Sequence, residues 1–357
     1  MARKKNDFTG ISAEEKEELK KILLSSEQPE DAGGENVLRP KTLDQFLGQE
    51  KAKKNLSIFI QAAKTRNEAL DHIFLVSPPG LGKTTLATVI ANEMGTDFKS
   101  VTAPVLDKPK DLAGILMNMQ PSGILFIDEI HRLKPQLEEM LYVAMEDFRI
   151  DWVLGQGISA RTTRIPLNRF TIIGATTKAG KVSSPLYTRF GITIRMELYP
   201  VEELELIVKR SSRLLNIRLS DDAVNRIASC SRGTPRIANR LIRRVRDYAV
   251  VKGSEEVTAD IVSEAMEKFD IDKNGLEVQD IRILKNLIML YNGGPVGAET
   301  LAISVGESAQ TLEDFFEPYL IQCGYLQRTS RGRVATTKAY ELFDIEAGRY
   351  GNKGSLF

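Results

Sequence analysis

The hydrophobic positions of this chain keep two rhythms, and the change between them near Pro200 divides it. Before that point, short unbroken apolar runs alternate with helical periodicities. Residues 73–76 and 124–127 are apolar throughout and 170–175 nearly so, with Thr171 as the exception, as befits strands covered on both faces of a parallel sheet. Leu56, Phe59, Ile60 and Ala63 recur at helical spacing ahead of the first run. Leu86, Val89, Ile90 and Met94 do so after it, stopping at Gly95. Residues 97–105 predict a strand and a loop, and 110–119 a helix. Strands alternating with helices predict an α/β domain on a parallel sheet. One segment has a different period. In 148–167, Ile150, Trp152 and Leu154 alternate with Arg149, Asp151 and Val153, residues 155–157 offer a glycine turn, and 160–167 return, which predicts a protruding hairpin.

From Pro200 to about Asp270 the pattern is purely helical. Leu204, Ile207 and Val208 share one face. Ser220 is placed to cap the next helix, which Gly233 ends. Thr234 and Pro235 then open a helix as N-cap and first-turn proline, with Ile237, Leu241, Val245 and Tyr248 as its apolar stripe. Its arginines, Arg236, Arg240, Arg243, Arg244 and Arg246, lie mostly elsewhere and read as a solvated or inter-domain face. Thr258 caps a last helix. From Leu276 the order is helix at 278–291, helix at 299–306, helix at 310–322, then two short strands about the turn 329–332, the outline of a winged helix. The expected organisation is a polar tail at 1–37 with one short helix at 14–24, an α/β domain at 38–200, a helical domain at 201–271, a winged helix at 272–346 and a tail at 347–357.

Composition alters this picture little. The hydrophobic fraction, 42% of 357 residues, suits two or three cores. With 49 basic and 48 acidic side chains, overall charge announces no nucleic-acid partner, so any such binding needs a local basic patch. Cys230 and Cys323 lie far apart without metal-ligand spacing, and His72 and His131 read as structural. The start lacks an apolar signal core, and no stretch approaches the roughly 18 apolar residues of a membrane span. These features point to a cytoplasmic protein.

The chemistry begins where the first apolar run meets the following helix, in IFLVSPPGLGKTT. Strand, glycine turn and helix N-terminus make a P-loop, whose backbone N–H groups and positive helix end bind polyphosphate. Gly80 and Gly82 let the backbone approach the phosphates. Lys83 supplies a charge for the β- and γ-phosphates, and Thr84 a hydroxyl for Mg²⁺. The pattern G-x-x-x-x-G-K-[ST] is met except at its first position, which is Ser77. The second run ends in Asp128-Glu129, at the strand end where ligands of parallel sheets collect. Asp128 suits Mg²⁺ held through water, and Glu129 suits activation of the attacking water.

Lys83, Asp128-Glu129, the strand end at Thr177, Arg189 and Arg236 fall in the order of AAA+ ATPases. The wording of LRPKTLDQFLGQ, PPGLGKTTLA, LFIDEIHRL, GATTKAG, RGTPRIANRL, GGPVG and TSRGRVATT resembles the RuvB family of that class, over nearly the whole of 38–343. The resemblance implies an AAA+ P-loop domain, a helical lid and a C-terminal winged helix. It implies an ATP- and Mg²⁺-dependent homohexameric ring that moves duplex DNA at four-way junctions, with RuvA and the RuvC resolvase as partners. It also implies roles. Lys83, Thr84 and Thr85 contact phosphates, while Leu38, Arg39 and Tyr199 lie against the nucleotide. Glu146, Asp147 and Phe148 are nucleotide contacts as well. Thr177 senses the γ-phosphate, Arg236 reports the nucleotide to the lid, and Arg189 is an arginine finger acting on the next subunit. Arg328, Arg331 and Arg333 are the wing's DNA contacts, and Ile150, Trp152 and Leu154 on the hairpin dock RuvA.

The residues add one inference of their own. Glu307, Glu313, Asp314 and Glu317 make the third helix of the winged helix and its approach acidic, with no Lys or Arg from 307 to 324, whereas the wing has three arginines within six residues. DNA is therefore expected on the wing, through phosphates and without base reading. The rival readings are another AAA+ machine, a clamp loader or a protein unfoldase, and a non-motor ATP-gated DNA-binding regulator. An unfoldase would carry an aromatic–apolar–Gly pore loop, which 101–114 lacks.

Overall fold

The structure, a computed structural model, describes residues 35–154 and 161–345. The helix expected at 14–24, the turn at 155–157 and the tail at 347–357 lie outside the described residues. The chain divides after Tyr199 into two compact units.

The first unit contains β1 (Ile73–Val76), β2 (Phe98–Thr102), β3 (Ile124–Asp128), β4 (Arg149–Leu154), β5 (Arg161–Pro166), β6 (Thr171–Thr176) and β7 (Ile192–Arg195). A parallel sheet runs in the order β2-β3-β6-β1-β7, with Ile73 level with Ile173 on one side and Ile192 on the other. β1, β3 and β6 are the three apolar runs, and Phe74, Phe126 and Ile173 in them are fully buried. β7 escapes a search for apolar runs because its residues alternate, Ile192 and Ile194 inward and Thr193 and Arg195 outward, as an edge strand can. The helix Lys83–Met94 buries Leu86, Val89 and Ile90 and packs on β3 and β6. Of the face expected on the helix Glu50–Arg66, Leu56, Ile60 and Ala63 are buried, while Phe59 is exposed.

β4 and β5 form the expected hairpin, paired from Arg149 with Pro166 to Leu154 with Arg161. Its apolar stripe is corrected at the base. Ile150 is only 1% exposed and joins the core beneath the sheet, and Trp152 is half-buried against the same cluster. Only Phe148, in a left-handed turn, separates β4 from the helix Pro135–Asp147, so the hairpin starts inside the domain and its first inward side chain is core. The side chain of Leu154 lies outside the described residues.

The second unit begins with the helices Val201–Leu214, Asp221–Ser229, Pro235–Lys252 and Ala259–Lys268. Ser220 caps as expected, its hydroxyl accepting from the Ala223 N–H at 3.2 Å. Thr234 and Thr258 occupy N-cap positions without capping; the Thr234 hydroxyl instead donates to the Ser231 carbonyl at 3.3 Å. The buried stripe of Pro235–Lys252 is Ala238, Leu241, Ile242, Val245 and Ala249, because the alanines admit close helix neighbours. Tyr248 sits at its margin and donates to Glu264 at 3.0 Å.

The winged helix follows, with helices Val278–Met289 and Ala298–Val305. The third helix passes through a π-helical turn, Leu312–Phe316, before Glu317–Gln322. Pro318 explains the wide turn: it has no N–H, and its ring crowds the carbonyl four residues back. The wing is β8 (Leu326–Thr329) paired with β9 (Gly332–Ala335). The GGPVG run forms a third line on its edge. The Val296 N–H donates to the Arg333 carbonyl at 3.0 Å, the Arg333 N–H to the Val296 carbonyl at 2.8 Å, and the Ala335 N–H to the Gly293 carbonyl at 2.9 Å. Gly332, at φ +137°, has no room for a Cβ against the Val296 carbonyl.

A buried joint ties the helical part of this unit to the winged helix. The Arg232 guanidinium pairs with Asp280, donates to the Gly275 carbonyl at 3.1 Å and lies 4.7 Å over the Tyr319 ring. Arg240 donates to Glu277 at 2.9 Å, so at least this arginine of its helix faces the neighbouring domain.

Candidate functional site

β1 hands the chain to the P-loop at Val76, and the helix starts at Lys83. Gly80 (φ +81°) and Gly82 (φ +93°) take backbone angles that side chains resist. Lys83 is 8% exposed. Its ammonium donates to the Ser77 carbonyl and the Ser77 hydroxyl, each at 3.2 Å, and to the Pro78 carbonyl at 3.3 Å. Burial lowers the lysine's proton affinity, while Asp128 and Glu129 act against that. Thr84 and Thr85 are half-buried in the first helical turn.

Asp128 ends β3, and Glu129 follows at φ +51°. The Glu129 N–H donates to the Asp128 carboxylate at 2.9 Å. Burial raises the pKa of both carboxyls, and Lys83 opposes it in each. β6 brings in the third strand end. The Ser77 N–H donates to the Thr176 carbonyl at 3.2 Å, so Thr177 follows directly beside the loop. A buried ammonium, two glycine-opened turns and the start of a 12-residue helix fit a polyphosphate. The adjoining carboxylates fit its divalent counter-ion.

His131 belongs to this constellation, although the sequence marks it only as a residue two beyond Glu129. Its Nδ1 is 2.8 Å from the Thr176 hydroxyl and 3.2 Å from the Glu129 carboxylate. Thr176 Oγ1 also accepts from the Lys178 N–H at 2.9 Å. One imidazole nitrogen thus joins the end of β6 to the carboxylate assigned to water activation.

Leu38 and Tyr199 are buried and Arg39 is half-buried. The segment between Arg39 and the helix Glu50–Arg66 is fastened to the P-loop helix. The Leu43 N–H donates to Glu93 at 2.9 Å, Asn92 donates to the Lys41 carbonyl at 3.0 Å, and Phe46 packs at Gly82. Gln49 then exchanges hydrogen bonds with the backbone of Glu197 at 2.6 and 3.2 Å, two residues before Tyr199.

Arg189 and residues 146–148 stand elsewhere. Arg189 pairs with Glu146 at 3.1 Å, donates to the Pro185 carbonyl at 2.7 Å and covers the Tyr142 ring at 4.7 Å. Asp147 pairs with Arg149 at 3.0 Å. Phe148 packs edge-on against Phe170 and under the Arg169 guanidinium. The Met145 carbonyl is 3.1 Å from His72 Nε2, and the Ile192 N–H donates to the His72 carbonyl. This group therefore gathers at the N-terminal end of β1, whereas the P-loop leaves its C-terminal end, one strand length or about 13 Å away. Arg236 lies exposed in the first turn of its helix in the second unit.

The wing separates its three arginines. Arg331 is exposed at the turn. Arg328 is largely exposed and 3.2 Å from Glu313. Arg333 is 6% exposed and donates to Glu317 at 2.5 Å and to Glu313 at 2.6 Å. Its assignment as a DNA contact is corrected: an arginine satisfied by two carboxylates in the interior holds the wing on the third helix. The acidity of that helix has the same cause, since Glu313 and Glu317 are the counter-ions of wing arginines.

Three family models match in succession: the Holliday junction DNA helicase RuvB P-loop domain over 38–196, the RuvB AAA lid domain over 199–272 and the RuvB C-terminal winged helix domain over 273–344. The chain is 61% identical over 306 residues to the Holliday junction branch migration complex subunit RuvB of Treponema pallidum, covering 86% of this chain and 87% of that protein. It is 60% identical over 312 residues to the subunit of the same name from Borreliella burgdorferi, covering 87% and 90%. Among solved structures, the Thermotoga maritima RuvB Holliday junction branch migration motor aligns with a TM-score of 0.79 at 48% identity, over 87% of this chain and 99% of that one. A P-loop with its paired carboxylates, a helical lid and a GGPVG-braced wing are thus matched in order and almost end to end, and the chain belongs to the RuvB family.

Proposed function

We propose that this P-loop ATPase is the motor subunit of a ring that moves duplex DNA to drive branch migration at Holliday junctions, in the cytoplasm, with RuvA loading it and RuvC resolving the product. The observation that carries the reading is the separation of Lys83 and Arg189 across one sheet. Lys83, Asp128 and Glu129 meet at the strand ends, and Arg189 stands beside Glu146 at the strand starts. A single subunit thus offers part of a hydrolytic site at each end of its strands, and a closed ring of copies completes every site. Lys83 and the P-loop backbone hold the phosphates. Thr84 and Asp128, the latter through water, would hold Mg²⁺, and the ion would supply charge neutralisation at the phosphate. Glu129 takes the proton of the attacking water, Thr177 contacts the γ-phosphate, and Arg236 couples nucleotide to the lid. Leu38, Arg39 and Tyr199 frame the base. The fixed loop geometry of Ser77 and Pro78 gives the lysine its direction.

The test uses two inactive variants. A finger is worth roughly 10³ or more in rate, so Arg189→Ala and Lys83→Ala are each expected to lose ATPase activity and junction unwinding. Mixed rings contain interfaces with an intact P-loop facing an intact finger, and mixing should restore part of the hydrolysis. Co-assembly without recovery would remove the shared-site reading.

RuvA is proposed to dock on the outer part of the β4–β5 hairpin, with Trp152 and Leu154 as its apolar contacts. Trp152→Asp is expected to retain ATP binding and to lose RuvA stimulation. Because Trp152 is half-buried against the core, its melting temperature is to be measured alongside. Unchanged RuvA stimulation would place the docking surface elsewhere.

A further inference from the structure

Arg189 is held where it stands by a platform that no motif marks. Its guanidinium carbon lies 4.7 Å from the centroid of the Tyr142 ring. One terminal nitrogen donates to the Pro185 carbonyl at 2.7 Å and the other to Glu146 at 3.1 Å, which leaves one N–H on each for an outside acceptor. A cleft lined by Met145, Glu146, Thr188 and Arg189 opens at this place. The ring itself is fixed by groups of this chain alone. It is half-buried and packs against the core beneath the sheet. Its hydroxyl donates to Glu138 at 2.9 Å and is 3.0 Å from the Ser183 hydroxyl, which donates to the same carboxylate oxygen at 2.7 Å.

Glu138, Tyr142 and Glu146 follow one another at four-residue spacing on the helix Pro135–Asp147, so they share one face. Ser183 caps the short helix Ser184–Tyr187, its hydroxyl accepting from the Leu186 N–H at 3.4 Å, and Arg189 follows just beyond that helix. The hydroxyl triangle therefore joins the two segments that carry the ring and the arginine. An arginine side chain has many rotamers, and a flat aromatic face limits them by stacking while leaving the N–H edge free. The ion pair with Glu146 does less to fix the guanidinium, because that carboxylate is exposed. Resting on the reading of Arg189 as the finger, we infer that Tyr142 is its positioning residue: the ring, locked by Glu138 and Ser183, aims the guanidinium at the phosphate held by the adjoining subunit. Tyr142 acts through Arg189 and leaves the P-loop of its own subunit untouched.

The test is a double-mutant cycle of Tyr142→Leu, which removes the ring, with Arg189→Ala, read as DNA-dependent ATP hydrolysis and by single turnover for the slow variants. Tyr142→Phe, which keeps the ring and deletes its hydroxyl, is the conservative control. Ring assembly is checked by native mass spectrometry, and the P-loop by titration with a fluorescent ADP analogue and Mg²⁺. Tyr142→Met carries the same cycle where Tyr142→Leu does not assemble. Tyr142→Leu is expected to lower kcat about three- to tenfold, the range of a partly desolvated cation–π contact, with KM and ADP affinity unchanged. Tyr142→Phe should retain most of the rate. The double variant should be no slower than Arg189→Ala, because a platform has no effect without the group it holds. A damaged helix would slow both backgrounds alike, so the cycle separates positioning from a merely structural role. Additive losses would overturn the inference, as would a wild-type kcat for Tyr142→Leu or an equal loss for Tyr142→Phe. A wild-type rate for Arg189→Ala alone would show instead that the finger reading is wrong, and the inference would fall with it.

Discussion

Two cations are buried to nearly the same degree in this molecule, Lys83 at 8% exposure and Arg333 at 6%, and their surroundings differ in kind. Lys83 has neutral oxygens at 3.2 to 3.3 Å, with the carboxylates of Asp128 and Glu129 acting from beyond them. Arg333 has carboxylates at 2.5 and 2.6 Å. Burial lowers the proton affinity of the lysine, whereas the bond to Glu317 raises that of the arginine. Neutral acceptors can be exchanged for a phosphate at small net cost. Ionised acceptors in direct contact cannot, because removing either partner strands a buried charge. The first arrangement is a ligand site in waiting and the second is a fastening. Both are basic residues within recognisable motifs, so the motif alone does not separate them.

The largest expected effects lie at Lys83 and its neighbours. Lys83→Ala should abolish ATP binding in a fluorescent-nucleotide titration. Glu129→Gln should bind ATP and lose about 10²- to 10⁴-fold in turnover, the usual scale for a general base. If Lys83→Ala binds nucleotide like wild type, Lys83 is a fastening of the same kind as Arg333 and the contrast disappears. His131 sharpens the same end of the comparison. It joins Thr176 to Glu129 through one nitrogen, so His131→Ala should lower kcat with little change in KM, by less than Glu129→Gln does. A wild-type kcat would make the contact incidental.

What the sequence reveals follows the same division. Elements that bury a nearly continuous apolar run, β1, β3 and β6, are legible because both faces are covered. β7 is not, because an edge strand of four residues alternates and leaves no run to find. The P-loop, Asp128 and Glu129 stand out by pattern and chemistry, whereas Arg189 is marked only through the resemblance. The placement of Lys83 and Arg189 at opposite ends of the strands is not legible there, because it depends on the parallel register of β1 with its neighbours. Ile150 was expected on an exposed stripe because period-2 alternation names a face without saying which side it meets. Arg333 was expected on DNA because charge spacing within a wing does not reveal a counter-ion 16 positions earlier, at Glu317. His131 carries no local mark, since its partner Thr176 arrives through the sheet.

At the other end of the comparison, Arg333→Ala should destabilise the winged helix by about 3–5 kcal/mol, the usual consequence of leaving a buried carboxylate unpaired. Hydrogen exchange at the amides of β8 and β9 would report it locally. Replacing Arg333 and Glu317 together by apolar residues of similar volume should recover most of the loss. If Arg333→Ala keeps native protection but binds DNA poorly, the residue is a DNA ligand after all.

The smallest effect is expected at Arg331. It is exposed at the wing turn, away from the two carboxylates that hold Arg333. Its removal strands no charge, so stability should change by no more than about 0.5 kcal/mol. What should change is the electrostatic part of DNA binding. One lost phosphate contact flattens the slope of log K against log salt by about 0.9, equally for unrelated duplex sequences. Arg328 shares its charge with Glu313 at 3.2 Å, so Arg328→Ala should flatten the slope by less. The gradation from Arg333 through Arg328 to Arg331 is thus one from fastening to ligand within six residues. Equal slopes for wild type and Arg331→Ala, with altered preference among sequences, would mean that the wing reads bases, and the assignment of Arg331 as a phosphate contact would fail.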